Sequence, residues 1–209
     1  GEENKGMSAM FKMMNGARIA VGRGGAAIAS AAYYASLQYA NERPQGRKIT
    51  NSGKKNSHEA QTLIINHADV RRMLLLQKAI SEGALSIVLQ ASQYFDKKLI
   101  AANETDSQKY NLLLELLMPI VKTFPAEMGK VAVDNGLQVL GGYGFCSEYI
   151  LQQYYRDIRI FSIYEGTTGI QSIDLLGRKL TMHNGKAMQL LAAEIMTCIQ
   201  QAQAFDELK

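Results

Sequence analysis

Seven apolar residues between Gln61 and about Ala102 constrain this chain more than any other feature of it. Met73, Leu76, Ile80, Ala84, Ile87, Ala91 and Tyr94 recur three or four residues apart. That spacing follows the 3.6-residue turn and puts all seven on one face of a helix. At ~1.5 Å per residue, about 40 residues make a rod of roughly 60 Å. The 209 residues hold only 3 prolines, and strand-like alternation is nearly absent. The rest of the fold is therefore expected to be helical too.

Residues 16–42, GARIAVGRGGAAIASAAYYASLQYANE, are alanine-rich and free of proline, which predicts a helix lined with small side chains. Pro44 ends it, because the residue before a proline is pushed out of helical geometry. Polar residues 50–59, TNSGKKNSHE, read as a loop, and NETDSQ (103–108) breaks the long helix. A third helix is predicted from near Ser107 to Leu140, kinked or split at Pro119 and Pro125 and stopped by Gly141 and Gly142. Residues 143–164 are aromatic and lack a clean period. A fourth helix is expected from about Gly166 or Thr167, with Ile170, Ile173, Leu176 and Leu180 as its inner stripe, and HNG (183–185) separates it from a last helix. Long helices with short connections predict an all-α antiparallel four-helix bundle with one additional C-terminal helix.

Apolar residues make up 47% and charged residues 20%, which excludes a disordered, collagen-like or disulfide-framework chain. No apolar run approaches the roughly 18 residues of a membrane span. Cys146 and Cys198 lie far apart, so a reducing compartment, the cytoplasm, is expected. His58, His67 and His183 make no zinc pattern, and no metal is expected. A net charge of +4 permits a phosphorylated ligand. Its basic residues are dispersed, and no nucleic-acid partner is expected. GEENKGMSAMF shows neither an initiator methionine nor a signal pattern, and the last helix keeps its periodicity almost to the final residue. Both ends suggest a piece of something longer.

Gly22, Gly24 and Ala27 match G-x-G-x-x-A, with Glu42 twenty residues after Gly22. A dinucleotide fingerprint works only where a strand feeds it, and here it lies inside a helical segment. Its small residues are better read as letting another helix approach. The informative stretch is 134–169, DNGLQVLGGYGFCSEYILQQYYRDIRIFSIYEGTTG. The glycine pair after Gln138 leaves backbone amides uncovered for a ligand, or simply stops a helix. Glu165, placed after Ile163 and Tyr164 and before a helix start, fits either an N-cap or a base in an apolar cleft. Both readings remain open on the residues alone.

IYEGTTGIQ (163–171), LQVLGGYGF (137–145), RDIRI (156–160) and YANERPQGR (39–47) together resemble the C-terminal helical domain of the acyl-CoA dehydrogenase family, in its larger subgroup with an extended C-terminus. The likeness spans about residues 1–180. It implies that residues 1–14 end a link from a preceding β-domain, 15–182 form the bundle, and 183–209 begin a C-terminal extension. It also implies that Glu165 is the base removing the α-proton of an acyl-CoA thioester while the β-carbon passes a hydride to FAD. The Glu165 amide would help polarise the thioester carbonyl. By the same resemblance Gly166 borders the acyl site, and Asn15 and Arg18 lie where the family contacts substrate or places an arginine near the active-site glutamate. Thr167, Thr168 and Gly169 match FAD contacts. Gln138, Gly141 and Gly142 match a loop reaching the FAD of a neighbouring subunit, whose pyrophosphate Arg43 would pair.

Two departures stand out. Arg43-Pro44-Gln45-Gly46 is shorter than the usual family form, so only Arg43 carries over there, and the longer loop 50–59 leaves His67 without an assigned cofactor contact. The resemblance further implies an electron-transfer flavoprotein as acceptor and a homodimer or homotetramer. A domain without the rest of its enzyme is expected to fold with little or no activity. A non-catalytic oligomerisation module and a related flavin oxidase are the alternatives.

Overall fold

The computed structural model describes residues 2–47, 53 and 58–208. Most of the polar loop expected at 50–59 lies outside the described residues. Among the described residues there are seven α-helices: α1 (Gly6–Glu42), α2 (Ala68–Ile100), α3 (Glu104–Leu140), α4 (Gly142–Phe145), α5 (Leu151–Ile158), α6 (Thr168–Asp174) and α7 (Met182–Ala202). Short 3-10 turns occupy Ile64–Asn66, Arg159–Ser162 and Asp206–Leu208, and a π-helix spans Leu175–Lys179. Among the described residues there is no strand, only an isolated bridge between Pro44 and Leu63. No helix is long and apolar enough to cross a membrane among them, and no group of potential metal ligands is found there.

The chain divides into two compact units. Residues 20–86 and 124–165 form the first, built on one stripe of small residues. Ala29, Ala32, Ser36 and Ala40 of α1 are fully buried. A Cβ added at Gly25 would lie 2.8 Å from the Pro125 carbonyl of α3, and one at Gly136 would lie 2.8 Å from Ser36 Oγ. Partners therefore advance together along α1 and α3, which run parallel. Ser36 Oγ donates to Gln77 Oε1 of α2 at 3.1 Å, and Ala29 packs with Ile80, so α2 runs antiparallel to both. Gly24 faces the Phe161 ring. The dinucleotide-like Gly22, Gly24 and Ala27 thus lie inside α1, with no strand leading into them.

The other unit comprises residues 1–19, 87–123 and 166–209. Here Val88, Ala91 and Tyr94 of α2 pack on Leu113, Leu117 and Val121 of α3, with Leu190 and Leu191 of α7 against the cluster. Tyr94 donates to Glu194 Oε2 of α7 at 2.5 Å, and Lys109 Nζ lies 3.3 Å from Glu194 Oε1. Burial, then the Glu194 hydrogen bond and charge, push the Tyr94 phenol well above its ordinary range. The folded chain therefore keeps a proton that the unfolded chain releases above about pH 10. This contribution is complete below that pH and is lost as pH rises beyond it. Tyr94→Phe is expected to cost about 2 kcal/mol in urea unfolding at neutral pH, and to flatten the alkaline loss of stability.

Several predicted boundaries need correction. Helix α1 begins at Gly6, ten residues before the expected start. Helix α2 begins at Ala68 rather than Gln61, because Thr62 and Ile64 donate to Gly46 and Arg43 across the bridge. Helix α3 begins at Glu104 rather than Ser107, where Asn103 Oδ1 accepts from the Asp106 amide as a cap. Helix α3 runs through Pro119 and Pro125 without being split, and at Pro125 it packs on Gly25 of α1. The largest reversal is in α6. Ile170, Ile173 and Leu176, expected inside, are more than half exposed and only Leu180 of that stripe is half-buried, whereas Gln171 and Lys179 are 1% and 2% exposed. The break at 183–185 stands, with His183, Asn184 and Gly185 all left-handed.

Candidate functional site

Helix α3 stops where glycine replaces side chains. Gly141 takes φ 61°, and its N–H donates to Gln138 O at 3.1 Å. A Cβ at Gly141 or Gly142 would meet nothing within 4 Å, and Gln138 is exposed beside them. The chain turns through α4 and places Tyr143 under Arg43, whose guanidinium carbon lies 5.2 Å from the ring centroid. Arg43 is fixed by its backbone: its N–H donates to Tyr39 O and its carbonyl accepts from Ile64, each at 2.9 Å. Tyr39 and Tyr149 complete the aromatic bed, edge to face with centroids 6.0 Å apart. Burial raises the Tyr39 phenol above its usual range, against the opposing charge of Arg43. Arg43 Nε is buried without a hydrogen-bond partner. A stacked cation with an unspent donor, beside an open glycine edge, suits a flat or phosphorylated anion.

The same unit ends at Glu165. Phe161 and Tyr164 stack at 5.8 Å, and burial followed by the Glu165 charge raises the Tyr164 phenol. Glu165 is half-buried and left-handed, with φ 55°. Such a backbone costs a non-glycine residue about 1–3 kcal/mol and gathers at functional sites. A cavity of about 1240 Å³ in the same unit is lined in part by Ile28, Val131, Phe161 and Ile163, and Glu165 is not among its lining residues.

In the other unit, Gly166 continues left-handed at φ 91°, and a Cβ there would stand 2.5 Å from Gln171 Nε2. The helix cap is Thr167, whose Oγ1 accepts from the Ile170 amide at 3.4 Å. Thr168 opens α6, and Gly169 is exposed beside Thr167 Oγ1. Asn15 Nδ2 donates to Glu115 Oε1 at 3.1 Å. Arg18, 9% exposed, buries an Nε that has no hydrogen-bond partner. The structure therefore groups Arg43 with Gln138, Gly141 and Gly142 in one unit, and Asn15, Arg18 and Thr167–Gly169 in the other.

Residues 54–181 match the family model described as acyl-CoA dehydrogenase, C-terminal domain. The 3-methylmercaptopropionyl-CoA dehydrogenase of Ruegeria pomeroyi is 40% identical over 93% of this chain and 32% of its own length. The chain belongs to the acyl-CoA dehydrogenase family. A broad-specificity linear acyl-CoA dehydrogenase of Mycobacterium tuberculosis is 33% identical over the whole chain and 34% of its own length. The crystal structure of an acyl-CoA dehydrogenase from Bacillus anthracis, complexed with FAD, superimposes with a TM-score of 0.71 at 28% identity, covering 98% of this chain and 33% of that one. The chain thus spans about a third of the length of these relatives, and its fold is the family's C-terminal helical domain.

Three residues of this acyl-CoA dehydrogenase domain escaped the sequence reading. Tyr143 is the platform for Arg43, signalled only by an aromatic residue after a glycine pair. Glu115 and Lys179 form an ion pair whose lysine end is buried and whose carboxylate is half-buried. Charged residues in helical periods ordinarily face water, and the irregular turn that brings Lys179 inward leaves no plain mark in the sequence.

Proposed function

We propose that this chain serves as the C-terminal helical domain of an FAD-dependent dehydrogenase converting acyl-CoA thioesters to 2,3-enoyl-CoA. The left-handed backbone of Glu165, directly ahead of Gly166 and the Thr167 cap, is the observation that carries the reading. A strained carboxylate at a helix entrance serves packing poorly and serves a base well. Glu165 takes the α-proton on a carboxylate oxygen as the α and β C–H bonds break and the double bond forms. When bound, FAD accepts the hydride that leaves the β-carbon. The Glu165 amide polarises the thioester carbonyl, and Gly166 borders the acyl site. Asn15 and Arg18 approach the substrate side. Thr167, Thr168 and Gly169 hold the cofactor of the same subunit, whereas Gln138, Gly141, Gly142 and Arg43 hold that of a neighbour.

The orphaned Arg43 Nε supports that assignment. In the full-length enzyme, Arg43→Ala is expected to weaken FAD binding about tenfold or more, with Arg43→Lys between it and wild type. Fluorescence titration of the apoprotein measures both. The outward apolar row Ile170, Ile173 and Leu176 supports a homodimer or homotetramer. An electron-transfer flavoprotein is the proposed acceptor, and the cytoplasm the proposed location. Anaerobic titration of the full-length protein with acyl-CoAs should bleach the flavin. Absence of flavin would favour an oligomerisation module instead, and oxygen consumption on acyl-CoA an oxidase. The 209 residues alone are expected to fold with little or no dehydrogenase activity.

A further inference from the structure

Hydrophobic burial does not hold α6 in place, since its apolar side chains face outward. Its inward side carries Gln171, and the π-turn that follows ends on the equally buried Lys179. In an uninterrupted helix Lys179 would sit about 80° around the axis from Gln171. Leu180 N–H instead donates to Leu175 O at 3.0 Å, five residues back. That one-residue widening brings Lys179 to within about 20° of Gln171, on the same face. Lys179 Nζ there donates to Glu115 Oε2 of α3, and Glu115 Oε1 accepts from Asn15 of α1. Both carboxylate oxygens thus have protein donors, and one half-buried carboxylate ties α1, α3 and the 168–179 segment of this unit together. At the other end of the segment, Gln171 Nε2 occupies the place a side chain at Gly166 would take.

We propose that Glu115 and Lys179 are positioning residues: their ion pair clamps the α6 segment and, through Gln171, holds the Gly166–Gly169 turn in its working place. This rests on the dehydrogenase reading above for what the turn does, but not for the clamp itself. In the full-length flavin-loaded enzyme, Lys179→Met is expected to lower kcat about tenfold or more with KM for acyl-CoA shifted less than about threefold. The double variant E115L/K179M removes both charges and should recover thermal stability, because it leaves no buried lysine charge without its partner. Its kcat should stay low; recovery of kcat together with stability would reduce the pair to packing and overturn the proposal.

Amide exchange on the 209-residue chain tests the clamp without flavin. Lys179→Met should speed exchange at Ile170–Asp174 and leave α2 unchanged, and unaltered exchange at Ile170–Asp174 overturns the clamp. If Lys179→Met does not fold, E115Q keeps the volume and should show both effects at about a third of the size. A wild-type enzyme that neither binds flavin nor oxidises acyl-CoA would sink the dehydrogenase reading, and with it the positioning role, while exchange still decides the clamp.

Discussion

Glu165→Gln in the full-length enzyme is expected to abolish acyl-CoA oxidation while the flavin stays bound. The amide has nearly the volume of the carboxylate and keeps an acceptor oxygen, but it cannot take a proton. Losing a positioned base costs about 10²–10⁴-fold, and the bare α-proton of a thioester is acidic too weakly for water to replace it. Turnover should therefore fall by about 10³-fold or more with flavin absorbance and acyl-CoA affinity nearly unchanged. Wild-type turnover in this variant would remove Glu165 from the chemistry. Glu165→Gly gives a second, opposite reading. At φ 55° the side chain carries a left-handed penalty that glycine escapes. That variant should be about 1 kcal/mol more stable in urea unfolding of this chain, yet equally inactive in the full-length enzyme. Stability rising as activity vanishes is what a strained functional residue predicts, and a packing residue does not.

Where one periodic face meets one core, the sequence was legible. The stripe from Met73 to Tyr94 is buried or half-buried along its whole length, because α2 presents a single face to α1 and α3. Small residues in 16–42 announced a close helix contact, and Gly141–Gly142 announced the end of α3, since both follow from side-chain size and backbone freedom. The α6 stripe failed for a definite reason. Periodicity shows that Ile170, Ile173 and Leu176 share a face, not which way that face points, and two polar anchors turned it outward. Helix starts were misplaced where a cap at Asn103 or a backbone bridge at 43–46 decided them, because neither leaves a periodic trace. As for the site, Glu165 was visible as a carboxylate ahead of a helix, but its left-handed backbone was not. Arg43 was visible through the resemblance, but its seat on Tyr143 required the fold.

Two glycines of one helix make opposite predictions about stability. Gly16 and Gly25 both lie within α1, where glycine costs about 1 kcal/mol relative to alanine. A Cβ at Gly16 meets nothing within 4 Å. Gly16→Ala is therefore expected to stabilise this chain by about 1 kcal/mol, raising Tm about 2–4 °C for a chain of this size. At Gly25 the same methyl group would meet the Pro125 carbonyl carbon and oxygen at 2.8 Å and the Ala126 nitrogen at 3.2 Å. These are backbone atoms in the middle of α3, so no rotamer can swing away, and relief requires the two helices to separate. Separation would loosen the contacts of Ala29 and Ser36 with Gly129 and Gly136 farther along the same pair. Gly25→Ala should thus lose about 2–3 kcal/mol after its gain in helix propensity, lowering Tm by about 4–10 °C. Equal effects of the two substitutions would mean that α1 and α3 do not approach through glycine. A deficit confined to Gly25→Ala would place the closest seam of this unit where the small-residue stripe of α1 meets a proline.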